Sequence, residues 1–234
     1  AQIFTELMFR HWNAWRGEKR SHLFLLDLDS GNFNDLTEGN KEDVPPPALG
    51  STNDFNFSPD MNEVAYALNP EFTTAISTNV EIYLLDLHSL QDAKVISKSK
   101  GVDCQPVYSP DGNWIAWTSM KRAGFEADKL DLILYNRKTG EIKNLTEDFQ
   151  NSVTEFVWSL DSKTIYFLSP YQIYNSIYKI DIDSNKPEML HKENYNTSIQ
   201  LSKDGKTLYF LKQRTDLPAE IFSISTDGKN TLKR

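Results

Sequence analysis

The stretch QPVYSPDGNWIAWTS at residues 105–119 decides the fold. A short run closing on Tyr108 meets Ser109-Pro110-Asp111-Gly112, and an alternating apolar run from Trp114 to Trp117 follows. Proline presets φ near −65°, aspartate hydrogen-bonds the backbone two residues on, and glycine takes positive φ, so the segment reads as strand, tight turn, strand. The same frame recurs as DFNFSPDMNEVAYAL at 54–68, EFVWSLDSKTIYFLS at 155–169 and SIQLSKDGKTLYFLK at 198–212. Its shared serines, Ser58, Ser109, Ser159 and Ser202, stand 51, 50 and 43 residues apart. That period suits a unit of about four strands and is too long for a single helical hairpin repeat.

A second hairpin pattern lies between the copies: HLFLLDLDSGNFNDLT at 22–37, EIYLLDLHSLQDAKVIS at 81–97, DLILYNRKTGEIKNLT at 131–146 and SIYKIDIDSNKPEMLH at 176–191, with a partial copy, EIFSISTDGKN, at 220–230. Each opens on an alternating strand and turns through residues such as Asp-Ser-Gly or Lys-Thr-Gly. Two hairpins per unit make a four-stranded antiparallel sheet, the blade of a β-propeller. The fold class is therefore all-β. Chain order divides one propeller domain over 1–234 into a partial blade at 3–40, whole blades at 52–99, 102–147 and 152–193, and a partial blade at 196–234. About four blades are expected, as part of a larger, seven-bladed ring rather than a closed ring of four. Residues 5–17 are the best helix candidate, with partial helical spacing through Phe4, Met8, Phe9, Trp12 and Trp15, but the aromatics and the following strand leave the segment ambiguous.

Composition narrows the function. With 39% apolar and 25% charged residues the chain can bury a core behind a polar surface. Its net charge of −8 disfavours nucleic acid, whose phosphates demand a basic face. No apolar run approaches the roughly 20 residues of a membrane-spanning helix. A single cysteine, Cys104, makes no intrachain disulfide and reads as a small buried hydrophobe; no Cys/His spacing resembles a zinc site, and no metal or other cofactor is expected. Residues 1–20 lack the basic, apolar and small-residue order of a secretion signal. Bacterial cytoplasm and periplasm both stay open.

The Ser-Pro-Asp-Gly hairpins resemble the PD40 repeats of TolB-type, WD40-like propellers. Two further segments, MFRHWNAWRGEKRSHLFLLD at 8–27 and TSMKRAGFEADKLDLILYN at 118–136, resemble the propeller of bacterial dipeptidyl and acylaminoacyl peptidases of the prolyl oligopeptidase (S9) family. The resemblance covers essentially the whole chain. It implies a propeller that caps a C-terminal α/β-hydrolase domain and filters peptides into the enclosed site. No Gly-x-Ser-x-Gly nucleophile turn occurs in the 234 residues, so the hydrolase domain is absent from the chain, which is expected not to cleave peptides by itself. The competing reading is a free-standing TolB-like propeller that binds a protein partner.

Candidate site residues follow from the long connection around 120–129. Glu126 is a candidate for pairing with the amino end of a peptide, as a propeller glutamate does in related dipeptidyl peptidases. Arg122 is a candidate for substrate contact or for a structural pair with a loop carboxylate. Arg10, His11, Trp12 and Trp15 resemble a ligand platform, but packing of the tryptophans against a blade edge is the simpler reading. His22, His88 and His191 read as ordinary turn or surface histidines. Asp60, Asp111, Asp161 and Asp204 stand at equivalent turns and read as turn caps. Pro45 to Pro47 reads as a stiff extended surface segment. Sequons at Asn56, Asn144 and Asn196 read as coincidence, since two of them would place glycans at packed strand positions, which a bulky modification cannot occupy.

Overall fold

The structure is a computed structural model, which describes residues 3, 10–11, 13–15, 17–51, 53–71, 74, 76–90, 93–229 and 231–233. Among these residues there are twenty strands and no helix. β1 (Arg10–His11) and β2 (Ala14–Trp15) form one short hairpin, and β3 (Phe24–Leu26) and β4 (Phe33–Asp35) a second. β5 (Phe55–Phe57), β6 (Glu63–Leu68), β7 (Glu81–Asp86) and β8 (Lys94–Val95) make an antiparallel four-stranded sheet in chain order. β9 (Asp103–Tyr108), β10 (Trp114–Met120), β11 (Leu130–Asn136) and β12 (Ile142–Asn144) repeat that order. So do β13 (Glu155–Trp158), β14 (Thr164–Tyr171), β15 (Tyr174–Asp181) and β16 (Glu188–His191), and then β17 (Tyr195–Leu201), β18 (Thr207–Arg214), β19 (Leu217–Ser225) and β20 (Thr231–Lys233).

The repeat serines and aspartates build the turns. Each serine hydroxyl donates to the aspartate two residues on, at 2.6 Å for Ser58–Asp60, Ser109–Asp111 and Ser159–Asp161 and 2.7 Å for Ser202–Asp204. The same aspartate oxygen accepts a backbone N–H two residues further, from Asn62, Asn113, Lys163 and Lys206. The serine oxygen in turn accepts the N–H that opens the next strand, from Glu63, Trp114, Thr164 and Thr207. The residue after the aspartate is left-handed throughout: Met61 (φ 59°), Gly112 (69°), Ser162 (60°) and Gly205 (73°). A fifth copy, Ser225–Asp227 at 2.5 Å with Gly228 at φ 77°, turns the chain so that Thr231 to Lys233 pairs with Phe222 to Ile224. The last repeat thus carries four strands where an incomplete unit was expected. Three residues are too few to show alternation in the sequence.

Residues 10–15 form a β-hairpin with Arg10 opposite Trp15, which settles the helix alternative for the described part of 5–17. Trp15 is 69% exposed rather than packed against a blade edge, while Trp12 lies outside the described residues. Pro45 and Pro46 are buried and only Pro47 is exposed. The surface reading of that segment is corrected: Val44 enters a core cluster with Leu23, Val64 and Tyr66, and its N–H donates to Ser21 O at 2.8 Å, drawing the prolines inward.

By contact density the chain divides into two compact units, 1–107 with 119–128, and 108–118 with 129–234. In the first, Val80 and Val102 form a parallel bridge from β7 towards the start of β9. In the second, Asn175 of β15 and Tyr195 of β17 do the same, and the side-chain amides of Asn175 and Asn196 each donate to the other's backbone carbonyl at 2.6 and 2.5 Å. Asn196 is fully buried, which excludes its sequon from glycan attachment in the folded chain. The core of the second unit gathers Tyr166, Leu168, Ile177, Ile199, Leu208, Phe210 and Ile224 across β14 to β19. Burying one such Leu or Ile side chain contributes about 1.5–3 kcal/mol.

Candidate functional site

Two connections carry the residues of interest: 69–80 between β6 and β7, and 121–129 between β10 and β11. The second is ordered by one carboxylate. Asp128 Oδ2 accepts the backbone N–H groups of Lys121 and Arg122 at 3.1 and 2.7 Å. Its Oδ1 accepts Arg122 Nε and Nη2 at 2.9 and 2.7 Å. The guanidinium also lies 4.1 Å from the centre of the Phe125 ring. Arg122 is thereby committed to its own loop, and the Asp128 bond raises its already high pKa further against a small opposing burial effect. Glu126 is exposed and makes no hydrogen bond or ion pair among the described residues. Gly124, at φ 73°, donates its N–H to Thr78 Oγ1 at 2.8 Å, which docks the loop on the connection 69–80.

Beside that contact opens a cleft of about 510 Å³ bordered by Glu71, Ser77, Thr78, Asn79, Lys100 and Gly124. Asn79 lines it and is only 6% exposed. Its amide nitrogen stands 3.1 Å from Glu71 Oε1 and 3.4 Å from Glu81 Oε1, and its carbonyl oxygen Oδ1 is buried without a hydrogen-bond partner. Lys100 Nζ reaches Glu81 Oε1 at 3.3 Å from an exposed position. Tyr83 lies 3.5 Å from Glu81 Oε2, and burial, reinforced by Glu81, pushes its hydroxyl up to about 12. None of Glu71, Thr78, Asn79, Glu81 or Lys100 stood out in the sequence, because 69–80 has neither repeat nor periodicity and its carboxylates converge only once β7 is paired.

The histidines take structural positions. His22 bridges Asp35 Oδ2 at 2.6 Å and the Asn40 carbonyl at 3.2 Å beside a second cleft of about 300 Å³. His88 Nε2 contacts Asn62 Oδ1 at 2.8 Å. His191 is half-buried, with Nε2 unpartnered, and burial together with the nearby Lys212 pushes its pKa down. Among the described residues no three His, Cys, Asp or Glu side chains converge on a common point.

Sheets of four antiparallel strands, each carrying a Ser-x-Asp turn between its first two strands, define a β-propeller built of WD40-like blades; a parallel bridge links the first such sheet to the second and another links the third to the fourth. The family model "TolB beta propeller domain" (PD40) matches residues 16–233, and the chain belongs to that family. Two relatives named dipeptidyl-peptidase 5 are similar to it. The one from Porphyromonas gingivalis is 33% identical over 190 residues, covering 79% of this chain and 28% of the relative. That from Porphyromonas endodontalis is 30% identical over 228 residues, covering 95% and 33%. The chain thus spans about a third of the length of these curated relatives. Among solved structures, a puromycin-hydrolyzing peptidase of Mycobacterium tuberculosis superposes with a TM-score of 0.69 at 16% identity, covering 94% of this chain and 36% of the other. At that identity the likeness is one of fold. The chain is a propeller domain related to the dipeptidyl peptidases of the S9 family and to TolB.

Proposed function

We propose that this propeller admits and orients peptides for a covalently linked α/β-hydrolase domain of an S9-type serine peptidase. The observation that carries the reading is the 33% identity to a dipeptidyl-peptidase 5 whose length the chain covers only to 28%. The four-stranded sheets at 55–95, 103–144, 155–191 and 195–233 are then consecutive blades of a larger ring. Well-hydrogen-bonded blades resist opening, so short extended peptides pass and folded proteins do not. Within this reading Glu126 receives the amino end of the peptide. An exposed carboxylate without a partner on a loop held by Asp128 and Thr78 presents a negative charge at a fixed place, which lowers the ordering cost of binding a cation. Arg122 holds that loop by its pair with Asp128 and its stack on Phe125, and so serves as a positioning residue.

The test uses the polypeptide with its hydrolase domain. Hydrolysis of dipeptidyl chromogenic substrates is compared with that of their N-acetylated forms, in the wild type and in Glu126→Gln. The reading expects KM for the free-amine substrate to rise about tenfold, the loss of one charge-assisted bond, with kcat and the acetylated substrate little changed. Equal KM values for both proteins would remove Glu126 from the site. No peptidase activity in the complete polypeptide, with a protein partner recovered instead, would favour the free-standing binding module.

A further inference from the structure

The loop 121–128 has its shape and its place fixed by different bonds. Shape comes from within: Asp128 gathers the Lys121 and Arg122 N–H groups and the Arg122 guanidinium, and its own N–H donates to Phe125 O at 3.1 Å. Packing does little to set its place, because residues 121–127 are all exposed, Ala123 and Gly124 border the open cleft, and a Cβ added to Gly124 would meet nothing within 4 Å. A segment with so little buried contact is held by its polar bonds. The Gly124 N–H supplies one, to Thr78 Oγ1 at 2.8 Å. The Thr78 hydroxyl hydrogen has Lys100 O at 3.5 Å to donate to, which leaves the oxygen lone pair for Gly124. The anchor end is firm. Thr78 is 5% exposed, and its carbonyl accepts the Val80 N–H at 2.8 Å. Val80 is bridged to Val102, and its own carbonyl accepts the Asp103 N–H at 2.9 Å, so the hydroxyl rides on backbone tied to β9.

We propose that Thr78 is a positioning residue for recognition of the peptide amino end: its hydroxyl sets where the Glu126 carboxylate stands. The inference rests on the assignment of Glu126 to that amino end. Glu126 lies two residues beyond Gly124, so a displacement of Gly124 carries the carboxylate with it. Asp128 and Arg122 keep the form of the loop, and Thr78 registers that form against the connection 69–80. Without the hydroxyl the loop retains its internal bonds but samples several placements. The apparent affinity for the amine then falls by the fraction of molecules in which Glu126 is correctly placed. Binding of a charged amine senses this change, and bond cleavage in the hydrolase domain does not.

The test again uses the polypeptide with its hydrolase domain and the free-amine and N-acetylated dipeptidyl substrates. Thr78→Val keeps the size of the side chain and removes the hydroxyl. KM for the free-amine substrate should rise about three- to tenfold, the loss of one hydrogen bond, with kcat and the acetylated substrate near wild type. Thr78→Ser keeps the hydroxyl and should restore KM. Combined with Glu126→Gln, Thr78→Val should raise KM no further, because a residue that acts through that carboxylate has nothing left to place. Thermal unfolding shows whether each variant is folded, and Thr78→Ala takes the place of Thr78→Val should the latter not fold. An unchanged KM in Thr78→Val, where Glu126→Gln raises it, would overturn this inference and leave the Glu126 reading standing. An unchanged KM in Glu126→Gln would remove both together. A rise that persists alongside Glu126→Gln, or that the acetylated substrate shares, would mark Thr78 as merely structural and overturn the inference as well.

Discussion

Gly101 sits where the chain enters β9, against the end of β10. A Cβ added there would lie 2.3 Å from Met120 O, 2.7 Å from Met120 C and 2.9 Å from Met120 Cβ. Two of these are backbone atoms of a paired strand, so no side-chain rotation relieves them. Contacts between carbon and carbonyl oxygen need about 3.2 Å or more, and Gly101→Ala must therefore push the strands apart by most of an ångström. That movement strains the Met120 N–H bond to Val102 O (2.7 Å) and the bond from Ser99 Oγ to Met120 O, while Ser99 Oγ also accepts the Gly101 N–H at 3.0 Å. Overpacking of a tight contact costs about 1–3 kcal/mol, and one weakened hydrogen bond adds about 1 kcal/mol. A destabilisation of about 3 kcal/mol is expected, or a fall in Tm of about 6–12 °C for a chain of this size. Urea unfolding followed by tryptophan fluorescence measures it, with the midpoint lowered and the slope unchanged. Gly17→Ala is the control, since its Cβ meets nothing within 4 Å and should shift stability by less than about 0.5 kcal/mol. A loss below about 1 kcal/mol in Gly101→Ala would show that the strands part more easily than the geometry implies.

Three further outcomes are expected. Met61 occupies the left-handed position of its turn at φ 59° and is 60% exposed, so Met61→Gly should raise stability by up to about 1 kcal/mol, whereas Gly112→Ala at φ 69° should lower it by a similar amount; both are read by the same urea titration. Hydrogen bonds from Ser159, Ser202 and Ser225 and from neighbouring backbone N–H groups lower the pKa values of Asp161, Asp204 and Asp227, the last to about 2. Their stabilisation is complete above the ordinary value of 3.8 and is lost as pH falls through the folded values, so the urea midpoint should drop between about pH 4 and pH 2, and less steeply once the aspartates are changed to asparagine. His191 also has a lowered pKa, here because burial and Lys212 disfavour its charged form. The folded state then binds fewer protons than the unfolded one, stability declines as pH falls below about 6.5, and His191→Gln should flatten that part of the profile.

Much of the fold was legible because its signals are local. A Ser-x-Asp turn needs only six consecutive residues, and the four aspartates assigned as caps each accept a serine hydroxyl and a backbone N–H. The alternation in 81–86 and 131–136 likewise places strands without reference to distant residues. Errors arose where the deciding partner is remote or the segment short. Trp15 looked like packing material but is mostly exposed, Pro45 looked solvent-facing but is drawn in with Val44, and β20 is too brief to announce itself.

By itself the sequence determined the all-β class, the repeat length, the turn chemistry and the kinship with peptidase propellers, since each is written in residues adjacent along the chain. Tertiary structure alone decided that Asp128 claims Arg122 while Glu126 stays free, and that Glu71 and Glu81 close on Asn79. Those choices depend on how an irregular connection is held by strands paired across it, and a side chain's partner there is set by distance in space, which spacing along the chain does not encode.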